Sequence, residues 1–212
     1  MLYLDATLRG DQSSTLPTGN NMYMYPSFSG SFVFSELTKL GDLLPYGKVR
    51  MSWAQVGSDT DPYQLGLVYT KSKFAYPGYT IGYISNGTIP NKDLKPTKTN
   101  SFEMGLELKF LKNRIGLDFT YYSQLSKNQI MGMASSSTSG YGYRLINAGE
   151  IENKGVEIAL NTRPIQTKDF SWDLNFNFSK NSNKVKKLVD DMDMFELEKA
   201  TWLDVQVAAK VG

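Results

Sequence analysis

The side chains that could do chemistry in this 212-residue chain are carboxylates, lysines and tyrosines, because it contains no histidine and no cysteine. That removes Cys/His zinc sites, thiol nucleophiles, disulfides and every histidine-based triad. Glu103 and Glu107 are the nearest approach to an acid–base pair. They share one parity of a strand-like run, where four residues span about 13 Å, too far for concerted work. Asp59 and Asp61 in SDTDPY are spaced like calcium ligands but lack further spaced oxygens, so a polar turn is the expected role. The 13 tyrosines carry the binding potential. Tyr63, Tyr69, Tyr76, Tyr79 and Tyr83 fall in one long connection, Tyr141 and Tyr143 in another. Tyr79, Tyr83, Tyr141 and Tyr143 are the candidate ligand-binding residues. Rings on external loops can stack on sugars or pack on peptides, and can equally pack against neighbouring loops or a partner. No catalytic residue, metal site or cofactor is expected.

Strands must position these residues. In SFEMGLELKFLKNRIGLDFTYY (101–122), Phe102, Met104, Leu106, Leu108 and Phe110 alternate with Glu103, Gly105, Glu107 and Lys109. After LKNR, Ile115, Leu117, Phe119 and Tyr121 alternate with Gly116, Asp118, Thr120 and Tyr122. Successive strand side chains point to opposite faces, so this is a hairpin with one oily and one charged face. The same pattern recurs around Leu2–Arg9, Ser27–Phe34, Lys48–Ala54, Val156–Asn161 and Phe170–Ser179. Asp5, Arg9, Lys48, Arg50, Asp118, Glu157 and Asp173 all fall on the non-oily parity. Glu150, Glu152 and Lys154 are the exception. They share the parity that turns oily after Gly155, a glycine expected to mark a bulge or the level where the strand leaves its environment. Residues 184–205 place Leu188, Met192 and Phe195 at helical spacing, which suggests a long loop with a helical turn before an eighth strand.

Alternation of this kind fits two architectures. A soluble sandwich hides the oily face in a core, whereas a membrane barrel turns it to lipid and lines a wet lumen with the charged one. No 18-residue apolar stretch suggests a membrane-crossing helix, and MLYLDATLRG has no signal-peptide pattern. Lysines and arginines number 23 against 21 acids, which gives no footprint for nucleic acid. Connections of roughly 15, 11, 41, 4, 21 and 7 residues alternate long and short, as barrel hairpins do. Aromatics near strand ends (Phe102, Phe110, Tyr121, Phe170, Phe178) suit an interfacial girdle. Both features favour the barrel.

Longer strings carry a resemblance. SWAQVGSDTDPY (52–63), NKDLKPTKTNSFEMGLELKFLKNRIGLDFTYY (91–122), INAGEIENKGVEIALN (146–161) and SWDLNFNFSKNSNKVKKL (171–188) resemble the barrel of the SusC/RagA family of TonB-dependent outer-membrane transporters. YLDATLRGDQSSTLP (3–17) and YPSFSGSFVFSE (25–36) resemble that family's preceding hairpin. The resemblance implies an all-β, antiparallel up-and-down meander, a segment of about seven or eight strands from a barrel of roughly 22 with an N-terminal plug. It further implies import of glycans or oligopeptides across the outer membrane, a SusD-like lipoprotein over the mouth, and energy from the TonB complex. Residues 1–212 then belong to the barrel domain, with no plug or signal peptide present, and the expectation is a fragment unable to insert alone. Within INAGEIENKG, Gly149 and Gly155 suit tight bends, while Asn147, Glu150 and Asn153 can satisfy local amides. The alternatives are a siderophore or cobalamin receptor of the same broad class, or a soluble carbohydrate-binding β-sandwich.

Overall fold

A computed structural model describes residues 1–38, 41–73, 77–84, 87–189, 192–200 and 205–212. The strands in chain order are β1 (Leu2–Gln12), β2 (Met22–Val33), β3 (Tyr46–Ser58), β4 (Tyr69–Lys71), β5 (Gly82–Ile84), β6 (Thr88–Ile89), β7 (Thr97–Phe110), β8 (Ile115–Ala134), β9 (Tyr143–Gln166), β10 (Ser171–Lys187), β11 (Met194–Ala200) and β12 (Val205–Lys210). Seven form one antiparallel meander, β1-β2-β3-β7-β8-β9-β10, and β6 adds in parallel to β9. The up-and-down meander that the resemblance implied is the observed fold.

Register turns the alternation into rows. Leu2, Phe32, Val49, Leu106, Phe119, Ile158 and Phe178 are successive cross-strand partners, one apolar residue from each of the seven strands. The adjacent row reads Tyr3, Ser31, Arg50, Gly105, Thr120, Glu157 and Ser179, and only its tyrosine carries a large ring. Slipping any strand by one residue would exchange the two faces, so sidedness holds the register.

Among the described residues, no second layer covers the oily face. Leu4, Leu8, Phe28, Phe176 and Phe178 are exposed, and Phe28 stacks on Trp53 at 6.0 Å on that open surface. The buried apolar residues among those described are Leu16, Leu44, Leu94, Ala148, Leu188 and Phe195, none of them in the alternating stripes. The two oily rows of a sandwich are not clasped together here.

The upper edge of the stripe is sloped. It runs to Leu8 on β1, Trp53 on β3, Tyr121 on β8, Val156 on β9 and Phe178 on β10, although Met22 and Met24 carry it higher on β2 and Leu125 on β8. Followed through the register, the row of Leu8 reaches β10 at Lys184, six residues past Phe178. Six residues at about 3.4 Å, spread over six strand spacings of about 4.8 Å, give a slope of about 35°. Barrel strands cross a bilayer at that tilt.

Three expectations change. Residues Lys184–Lys187 continue β10, and 194–200 form a strand paired with 205–210 rather than a helical turn. The alternating Phe195, Leu197 and Lys199 satisfy a strand as well as a helix, and pairing with a nearby segment decides. The connection between β8 and β9 shrinks to 135–142, because both strands extend far beyond the oily stripe. Finally, pairing is unbroken through Gly155, so no bulge lies there. The backbone irregularity is instead at Asn128 and Gly149, whose φ values are +56° and +78°.

Candidate functional site

Two features are placed by this sheet: a polar inner wall, and a crown of loops at the end where β8 and β9 run on. The wall centres on Arg50. Its Nη1 donates to Asp118 Oδ2 at 3.1 Å, and its Nη2 to Asp118 Oδ1 at 3.0 Å and to Thr120 Oγ1 at 2.6 Å. Asp118 and Thr120 are on β8, two strands away, and Arg50 crosses β7 at Gly105, its direct partner. Glu103 stands 4.0 Å from Nε. Lys109 Nζ lies over the Tyr46 ring at 5.2 Å, and the Tyr122 ring lies over Gly155, where a Cβ would come within 2.6 Å of its hydroxyl. A polar groove of about 560 Å³ runs beside Arg50, Asp118, Glu157 and Asn177. Bidentate ion pairing and solvated amides make this a wet, charge-balanced wall, with Glu103 and Glu107 as lining.

The crown is tied down at three points. Asp59 accepts hydrogen bonds from the hydroxyls of Ser13 and Thr15, at 2.5 and 3.1 Å, which joins loop 59–96 to loop 13–21. The Ser13 bond is the main reason that the Asp59 carboxyl is held below its usual pKa, with Thr15 adding to it. Farther on, Gly87 accepts from the amides of Gly142 and Tyr143 at 2.7 and 3.0 Å, and β6 pairs with Tyr143 and Arg144. The third tie is Asn147. Its Oδ1 accepts from the Lys95 amide, while Nδ2 donates to the Lys95 carbonyl, both at 2.7 Å, and also to the Asn128 carbonyl at 3.1 Å. Asn147 does not satisfy a local amide as expected; the amide that it accepts from belongs to Lys95, 52 residues away.

The candidate tyrosines divide. Tyr79, Tyr83 and Tyr143 are exposed, as are Tyr63 and Tyr69, and Tyr141 is half-buried. Tyr69 and Tyr83 belong to the β4–β5 hairpin. Tyr76 lies outside the described residues. Because β6 fastens loop 59–96 to the upper end of β9, the connections bearing Tyr79 and Tyr83 and those bearing Tyr141 and Tyr143 share one edge of the crown. Two functional positions escaped the sequence: Asn147 as a staple, and Asp118 as the chief partner of Arg50. A glycine between Glu103 and Glu107 in an otherwise charged face is the one signal that pointed to the second.

The family model for "TonB dependent receptor-like, beta-barrel" matches residues 2–196. TonB-dependent receptor SusC of Bacteroides thetaiotaomicron is 31% identical over 199 residues, covering 89% of this chain and 20% of that protein. TonB-dependent receptor P3 of Formosa agariphila is 30% identical over 197 residues, covering 89% of this chain and 19% of that protein. The chain thus spans about a fifth of the curated relatives that it matches. Among solved structures, the RagAB peptide transporter superposes with a TM-score of 0.87 at 23% identity, over 100% of this chain and 23% of that one. The siderophore receptor PirA of Pseudomonas aeruginosa superposes less well, at a TM-score of 0.53 and 18% identity, over 92% of this chain and 35% of that one.

Proposed function

The chain belongs to the TonB-dependent receptor-like β-barrel family, and from that premise we propose that residues 1–212 are one sector of the barrel of a SusC/RagA-like nutrient importer. Members of the family are outer-membrane β-barrels and transporters, not enzymes. The observation that carries the reading is the pair of adjacent rows, one apolar on all seven strands and the next polar on all but one, tilted as barrel strands are. An open sheet would leave edge amides unpaired in hydrocarbon, at several kcal/mol per group, so the sector needs further strands to close it.

Uptake belongs to the whole transporter. Its cargo is a glycan or an oligopeptide, its lid a SusD-like lipoprotein, and its energy source the TonB complex. Tyr79, Tyr83 and Tyr143 sit where incoming cargo or the lid would meet the crown. Tyr141, half-buried, supports the loop beside them. The greater similarity to RagAB than to PirA favours this reading over a siderophore receptor.

The test is deletion of the locus that encodes this chain, followed by growth on defined glycans or oligopeptides as sole nutrient. Loss of growth on one class, with the protein in the outer-membrane fraction, is the expected result. Unchanged growth on every class, or recovery of the protein in the soluble fraction, overturns the proposal.

A further inference from the structure

The inner wall loses its charge balance at the short-turn end, beside turns 111–114 and 167–170. Register sets Lys109 on β7, Gly116 on β8, Asn161 on β9 and Asn175 on β10 in one row of the polar face. In the next row down, the Arg163 amide donates to the Arg114 carbonyl at 2.8 Å, which sets the two arginines opposite each other. Arg114 shares the parity of Gly116, and Arg163 that of Asn161, so both belong to the same face as Lys109.

These three cations meet one carboxylate. Asp173 accepts from Arg163 Nε at 2.6 Å, whereas no ion pair involves Lys109 or Arg114 among the described residues. The neighbouring acids are committed elsewhere on the wall. Asp42 pairs with Lys112 at 3.1 Å, Asp118 pairs with Arg50, and Glu107 stands opposite Lys48. Like charges directly opposite on a ladder repel, and an anion between them relieves the repulsion. Tyr46 beneath the Lys109 ammonium and Asp173 beside Arg163 hold two of the three cations in place.

Between them lies a cavity of about 450 Å³. Gly116 lines it without a side chain, and a Cβ added there would meet only Asn161, at 3.9 Å. The β9–β10 ladder shifts register between Trp172 and Leu174, so Arg163 and Pro164 together face Asp173. Such a bulge re-aims a side chain, as bulges do beside binding sites. We propose that this cavity seats a carboxylate of the cargo, held by Lys109 and Arg114 with the Asn161 amide beside them. The seat rests on the importer reading above, in which the short turns mark the exit side. A carboxylate is the anion that both proposed cargo classes can carry, as the C terminus of an oligopeptide or the uronate of an acidic glycan.

The test uses the full transporter in detergent micelles, with binding read by saturation-transfer NMR. One pair of probes is N-acetyl-trialanine and its C-terminal amide; the other is trigalacturonic acid and its methyl ester. The wild type is expected to prefer the free acid in at least one pair, and less so as salt rises. The pair that shows the preference identifies the source of the carboxylate. Lys109→Gln and Arg114→Gln should each cut the preference roughly threefold, while Arg114→Lys keeps most of it and Lys112→Gln, already paired with Asp42, leaves it unchanged. Heat-modifiable gel migration verifies folding, and Lys109→Gln supplies the readout if Arg114→Gln fails to fold. No preference in either pair, or a preference that both glutamine variants keep in full, overturns the seat alone. Unchanged growth after deletion of the locus defeats the importer reading, and the seat with it.

Discussion

The guanidinium of Arg50 lies across the Cα of Gly105, its direct partner on β7, and so reaches Asp118 and Thr120 on the strand beyond. A Cβ at position 105 would fall inside the guanidinium's own volume. Glycine in a strand interior is ordinarily a weakness, but here it opens a path between two strands that do not touch. Gly105→Ala should therefore break the bidentate pair as well as improve local propensity, for a net loss of about 1 kcal/mol, modest because Arg50 is 32% exposed. Urea unfolding of the full transporter in lipid checks this. In a double-mutant cycle, adding Gly105→Ala to Arg50→Gln should cost almost nothing more, and full additivity would show that the two residues act separately.

Neighbouring residues on β9 test the sidedness directly. Ile158 faces outward in the apolar row, and Ala159 faces the polar groove. Ile158→Arg should cost about 2–4 kcal/mol of insertion stability at mid-bilayer depth, and Ala159→Arg much less. Equal costs, measured by folding the full transporter into lipid vesicles, would contradict a lipid-facing stripe.

Asn147 pairs with both the backbone N–H and the backbone carbonyl of Lys95. Asn147→Asp keeps the acceptor and loses the donor, which leaves the carbonyls of Lys95 and Asn128 without that amide. A cost of about 1–3 kcal/mol is expected. It should appear as faster proteolysis within loop 59–96, with little change in the strands.

Acid should loosen the same loop at its other end. Asp59 binds its proton less readily in the folded loop than in a free chain, because Ser13 and Thr15 donate to its charged form. The stabilisation is thus complete above the ordinary carboxylate pKa and is lost as pH falls through the lowered folded value. Ser13→Ala should move the onset of protease sensitivity in loop 59–96 to higher pH. An unchanged acid limb would assign the anchoring to other contacts.

The tyrosines give a functional readout. Tyr79→Ala, Tyr83→Ala and Tyr143→Ala remove exposed rings and should weaken cargo capture or lid docking with little effect on stability. Tyr141→Ala removes a half-buried ring and should lower thermal stability as well. Uptake rates and melting temperatures, measured on the same variants, separate the two effects.

What the chain determined by itself is sidedness. Parity is a property of consecutive residues, so Phe102 to Phe110 against Glu103 to Lys109 announces two faces before any partner is known. Whether the oily face met lipid or a second sheet was not in the alternation, and in space no described element covers it. Everything that depends on register waited for tertiary structure. Arg50 and Asp118 are 68 residues apart, and Asn147 and Lys95 are 52 apart. Nothing local at either end specifies the other, since the pairing is set by how many residues each intervening strand and turn contributes. The same reason hid the strands at 194–200 and 205–210. Short segments of mixed periodicity take the structure of whatever pairs with them, and only the folded chain supplies that partner.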